Sequence, residues 1–226
     1  MLFNIMLVII LLIFYTIMIN IYMFDKYFYR MSEYDLKAYG VDSTFDFMYK
    51  YYMNVSNFTN SEIYQIKEND KKAIELIKQY TKTCDKEEFD FLNYDIDIKF
   101  KKQTWIKDPH TLQNYIFADE VIDVETIIHE RIHILQRYNK KYNNLIKHYG
   151  FKKTNKKYPL QRNNPDNFTE NYSYGNVDFY FKYDENLIDY NSGNTVGSND
   201  GKIKLIDSVN ESIAYYLTDK ILNNLN

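Results

Sequence analysis

The sequence predicts an α+β fold: one long central helix and a C-terminal helix on a small mixed or antiparallel sheet, preceded by one transmembrane helix. Three observations carry this. Apolar residues recur at helical spacing in Glu68–Thr83 and again beyond Asp123, residues 94–101 alternate strictly, and the first 24 residues contain no charged side chain. The chain has 226 residues and a mass of 27.4 kDa; without the leading apolar run, about 200 residues remain, the usual size of one domain. The division expected is an anchor at 1–24, a juxtamembrane segment at 25–60 and a folded domain at 61–226.

MLFNIMLVIILLIFYTIMINIYMF runs from Met1 to Phe24, long enough as a helix to cross a hydrocarbon core of about 30 Å. A cleaved signal peptide fits less well, because no Lys or Arg precedes the run and no small-x-small site follows it. Lys26, Arg30 and Lys37 follow the span, so the positive-inside rule places the body on the cytosolic side of a single-pass membrane protein. The single cysteine, Cys84, agrees with a reducing compartment. The sequons at Asn54, Asn57, Asn167, Asn171 and Asn210 point the other way, but an Asn-rich chain acquires sequons by chance. The net charge of -3 and interspersed lysines and aspartates exclude a basic face for nucleic acid.

A short helix is expected over Phe45–Met53. In Glu68–Thr83, Ala73, Ile74, Ile77 and Tyr80 mark a helix face; in Tyr94–Lys101, Ile96, Ile98 and Phe100 mark the buried face of a strand. A second strand is expected around Tyr115–Phe117. Asp123 caps the next helix, whose apolar Ile128, Ile132, Leu135, Tyr142, Ile146 and Tyr149 run on for some 25 residues until Gly150 stops it. Phe151–Tyr174 is polar and holds two of the three prolines, so it reads as loop or insertion. Val177–Tyr183 alternates again, Asn191–Gly201 is a turn-rich connector, and a last helix begins near Ser208.

The central helix contains HERIH. His129 and His133 stand four apart, so both imidazoles leave the same helix face and can bind one Zn²⁺, while Glu130 is turned enough to reach a water on the metal without binding the metal itself. With four histidines in the chain, an H-E-x-x-H is expected by chance roughly 0.004 times. A catalytic zinc needs a third protein ligand and an open fourth position. Gln136 and Asn139 stand where a metzincin needs Gly and His, which excludes that class. His148 lies roughly 20 Å or more along the axis if the helix is continuous. Carboxylates remain: Glu211 in NESIA, with Glu170 in reserve and Asp166 weaker. Glu211 also completes a capping box with Ser208, in which it folds back on the Ser208 amide. Both readings stand at the level of sequence.

HERIH followed on a later helix by N-E-x-x-A resembles the thermolysin-like gluzincins. That resemblance implies a zincin-like domain with His129, His133 and Glu211 as zinc ligands and Glu130 as general base. It covers two short helical segments. The 77 residues between His133 and Glu211 exceed the spacing usual in thermolysin, so an insertion, for which Phe151–Gly201 is the place, separates the helices. Anchored, A+T-rich chains with an HExxH helix also resemble uncharacterised metallopeptidase-like proteins of giant DNA viruses, which implies a virion or host membrane.

The function implied is a membrane-anchored, zinc-dependent metallopeptidase acting on a protein or peptide. Glu130 would move the proton from water to the leaving amine, and Tyr172, Tyr174 or Tyr215 would steady the oxyanion. The family resemblance further implies that the strand at 115–117 is the edge on which an extended substrate pairs. The rival is a membrane-anchored structural or interaction protein that keeps the scaffold without turnover.

Overall fold

The computed structural model describes residues 39–153, 172–174, 177–178 and 209–224. The apolar run 1–24, the connector 191–201, Glu170 and Asp166 lie outside them. Among the described residues no helix is long and apolar enough to cross a membrane.

The fold is α+β. In chain order it comprises α1 (Thr44–Met53), β1 (Val55–Ser56), α2 (Asn60–Tyr80), α3 (Lys86–Leu92), β2 (Lys99–Gln103), β3 (His110–Leu112), β4 (Tyr115–Ala118), α4 (Val124–Tyr138) and α5 (Tyr142–His148). Three short strands follow, β5 (Phe151–Lys153), β6 (Tyr172–Tyr174) and β7 (Val177–Asp178), before α6 (Val209–Asn223). The first four strands form one mixed sheet in the order β1-β2-β4-β3, with β2 and β4 parallel and the other pairs antiparallel. The last three form a separate antiparallel ribbon. The ends of Phe151–Tyr174, expected to be loop, thus pair with each other, Phe151 opposite Tyr174.

Local chemistry sets most boundaries. α1 is capped by Ser43, whose hydroxyl accepts from the Asp46 amide. Residues 41–56, read from the sequence as juxtamembrane, pack onto the sheet: Val41, Phe47, Met48 and Tyr51 form a cluster with Leu112 and Phe117. Tyr51 donates its hydroxyl hydrogen to His110 at 2.9 Å; the other ring nitrogen of His110 donates to the Asp108 carbonyl. α2 starts at Asn60, two turns before the expected Glu68, because Thr59 and Glu62 form a reciprocal capping box. The strand expected over Tyr94–Lys101 pairs only from Lys99, although Ile96, Ile98 and Phe100 do turn towards the core.

α4 packs against α2 and α6 and against β3 and β4. Its apolar face is therefore wider than Ile128, Ile132 and Leu135: Ile127 and Ile134 are also fully buried. Four fully buried isoleucines contribute about 6–12 kcal/mol of transfer free energy, before chain entropy is subtracted. The 25-residue helix expected from Asp123 to Gly150 is in fact two. Asn139 leaves the helix at φ -87, ψ 109, and its amide donates to the carbonyls of Asp90 and Phe91 at the end of α3. A side chain that satisfies another helix's terminal carbonyls outcompetes the continuation of its own helix. Gly150 does supply the left-handed stop, at φ 87.

β4 lies between β2 and β3 and is not an edge, contrary to the expected pairing of substrate there. The adjacent edge strand is β3, and Arg137 of α4 donates to the carbonyls of Thr111 on it and of Gln113 in the turn that follows, at 3.1 and 3.5 Å. Those acceptors are already engaged by the protein itself.

Candidate metal centre

Two helices build the site. α4 is fixed at its start by Asp123, whose carboxylate accepts from the Thr126 amide at 2.8 Å, and at mid-length by Arg131, which grips Asp70 of α2 with two bonds of 2.6 and 2.9 Å. α6 buries its first turn, Val209 to Ala214, against α4. This contact brings together His133 and Glu211, which 77 residues separate in the chain.

At the contact, the Nε2 atoms of His129 and His133 are 3.0 Å apart, and each lies 3.4 Å from Glu211 Oε2. The three residues predicted as ligands therefore converge. For a tetrahedral zinc with bonds of about 2.0–2.1 Å, ligand atoms sit roughly 3.3 Å apart. The observed separations fit that edge on all three sides, and two imidazoles with one carboxylate are donors that zinc accepts. Glu211, 8% exposed, serves the histidines. Burial raises its pKa, but His133 and His129 more than offset this and hold the carboxyl well below its usual range.

Glu130, 5% exposed, follows His129 on the buried side of α4. Helical geometry turns it about 100° from His129 and about 60° from His133, close to the site but off the ligand face. His133 is buried, whereas His129 is partly accessible. Its ring packs against Tyr215, 48% exposed, with ring centroids 4.4 Å apart. The site therefore opens on the side of His129 and Tyr215. Of the other tyrosines considered, Tyr172 is buried in the main core and Tyr174 belongs to β6.

Sequence reasoning missed the polar groups behind the ligands. His133 Nδ1 lies 2.9 Å from Gln136 Oε1; Gln136 Nε2 donates to the main-chain carbonyl of Asn210 at 2.9 Å; and the buried Tyr142 hydroxyl donates to the Asn210 side chain at 2.7 Å. The available signal was positional: Gln136 is three residues past His133 and so shares its side of the helix. His148, which sequence spacing set aside, sits elsewhere on the surface, 3.0 Å from Asp85 and 3.7 Å from Glu87. That largely exposed trio is the second acidic and histidine group among the described residues.

No family model, no curated protein and no solved structure matches this chain.

Proposed function

We propose that the chain is a zinc-dependent metallopeptidase with a zincin-like fold of the gluzincin type, held at a membrane by residues 1–24. The observation that carries this reading is the convergence of His129, His133 and Glu211 from two helices at 3.0 and 3.4 Å. The opposite use of Glu211, as a cap on its own helix, draws no support from a carboxylate lying beside both imidazoles.

In this account His129 Nε2, His133 Nε2 and Glu211 Oε2 hold the ion. Bound there, zinc would supply a Lewis acid that acidifies water and polarises a peptide carbonyl. Glu130 takes the proton from the attacking water on its carboxylate and returns it to the departing amine. Tyr215 flanks the open side, and we assign it to the substrate, where its phenol would donate to the carbonyl oxygen under attack. Because β4 is internal and Arg137 engages β3, an extended peptide would enter from the His129 and Tyr215 side. The substrates would be proteins close to the anchoring membrane.

The experiment is cleavage of a fluorogenic peptide library by the zinc-loaded full chain and by Glu130→Gln. The variant should keep zinc and lose turnover by about 10²–10⁴-fold, the range of a general base. A zinc-loaded wild type that cleaves nothing would leave a metal-bearing scaffold and end the peptidase reading.

A further inference from the structure

The groups behind His133 form an ordered chain whose direction follows from which atoms can donate. The Asn210 main-chain carbonyl only accepts, so the Gln136 amide must present its NH₂ group to it. The Gln136 oxygen then faces His133 Nδ1 at 2.9 Å, and that oxygen also only accepts. His133 Nδ1 must therefore carry a hydrogen. In the neutral ring this leaves the lone pair on Nε2, the atom that faces His129 and Glu211. The Nδ1–H tautomer is the less favoured form of an isolated histidine side chain, so its environment has to select it.

We propose that Gln136 is a positioning residue for the metal centre: it fixes the ligating tautomer of His133 and makes that choice depend on the docking of α6. This role rests on the zinc reading above and adds a coupling to it. The carbonyl that orients Gln136 belongs to Asn210, the residue immediately before Glu211. When the first turn of α6 is seated, Glu211 reaches the two imidazoles, and the same turn orients the amide that turns the His133 lone pair towards them. Helix docking and tautomer selection are thus one event, carried across 74 residues of sequence by a single side chain. The whole path is buried: His133 is 2% exposed, Gln136 5% and Asn210 2%, so water does not substitute readily for the amide. Outer partners of this kind typically change metal affinity by about 10–100-fold when removed.

Three variants of the full chain separate this role from simple packing. Gln136→Leu fills the space but neither accepts from His133 nor donates to Asn210. Gln136→Glu keeps an acceptor for His133. Asn210→Ala keeps the main-chain carbonyl and discards only the side chain that Tyr142 bonds. Zinc affinity is read by competition with a chromophoric chelator, and the histidine tautomers by nitrogen-15 NMR of the zinc-free chain at a pH where the His133 ring is neutral. The expected result is an Nδ1–H signature for His133 in the wild type and in Asn210→Ala. Gln136→Leu should lose that signature and bind zinc about 10–100-fold more weakly. Gln136→Glu should recover the signature and part of the affinity.

A wild-type His133 in the Nε2–H form overturns the proposal, and that measurement needs no variant to fold. A Gln136→Leu chain that binds zinc as tightly as the wild type overturns it as well. If the wild type shows the Nδ1–H signature yet binds no zinc, the metal reading fails, and this role for Gln136 falls with it. The NMR result distinguishes that failure from the others.

Discussion

Replacing Glu88 by glutamine removes a single charge from the group that ties α6 to the rest of the domain. Glu88 is fully buried, and its carboxylate accepts from Tyr80, from Tyr149 at 2.6 Å and from Lys220 of α6 at 2.5 Å. A glutamine preserves the shape but offers one oxygen where three donors need two. If the oxygen faces Tyr149 and Lys220, the new NH₂ group meets the Tyr80 hydroxyl, which must then turn from donor to acceptor. Bonds to charged groups are worth about 1.5–3 kcal/mol, and stranding one member of a buried ion pair costs about 3–5 kcal/mol. The Lys220 side chain is 34% exposed and can turn to water, which keeps the loss below that upper range. The expected cost is about 2–3 kcal/mol. For a domain of this size that lowers Tm by roughly 4–12 °C, measured by circular dichroism on the full chain in mild detergent. A change under about 0.5 kcal/mol, the usual effect of a neutral surface substitution, would refute the claim that this carboxylate anchors α6.

The joint between α4 and α5 depends on Asn139, so Asn139→Ala, which removes the donors to Asp90 and Phe91, should cost about 2 kcal/mol in urea unfolding. Glu62 gives a pH dependence. Hydrogen bonds from Lys102 and from Thr59 lower its pKa from 4.5 to about 2. A lowered folded-state pKa contributes stability that is present above the unfolded value and lost as pH falls through the folded one. Wild type and Glu62→Gln should therefore differ most above about pH 5 and converge as the pH approaches 2, as followed by urea midpoints at stepped pH. A gap that stays constant across that window would show that Glu62 acts through packing alone.

What the sequence made legible was set by short-range periodicity. HERIH fixed two imidazoles on one helix face because four residues are about one helical turn, and N-E-x-x-A singled out Glu211 once a family pattern stood beside it. The Gly150 stop and the α6 boundary were equally local. What stayed hidden depends on partners distant in sequence. Asn139 looked compatible with a continuous helix until the carbonyls of Asp90 and Phe91, nearly fifty residues earlier, claimed its amide. Gln136 counted in the sequence only against a metzincin; its role follows from the Asn210 carbonyl on another helix. β3 is three residues long, too short to show a period, and its place beside β4 makes internal a strand that the family resemblance implied to be an edge. The T-x-x-E of Thr59 and Glu62 marks the true start, but the apolar spacing becomes regular only from Glu68.

The central claim is that His129, His133 and Glu211 hold one metal ion. Elemental mass spectrometry of the purified full chain, beside Glu211→Ala, tests it most directly. The account predicts about one zinc per wild-type chain and its loss, or a sharp weakening of binding, in the variant. A folded wild type without zinc, or a Glu211→Ala chain that keeps it unchanged, would contradict the three-ligand centre.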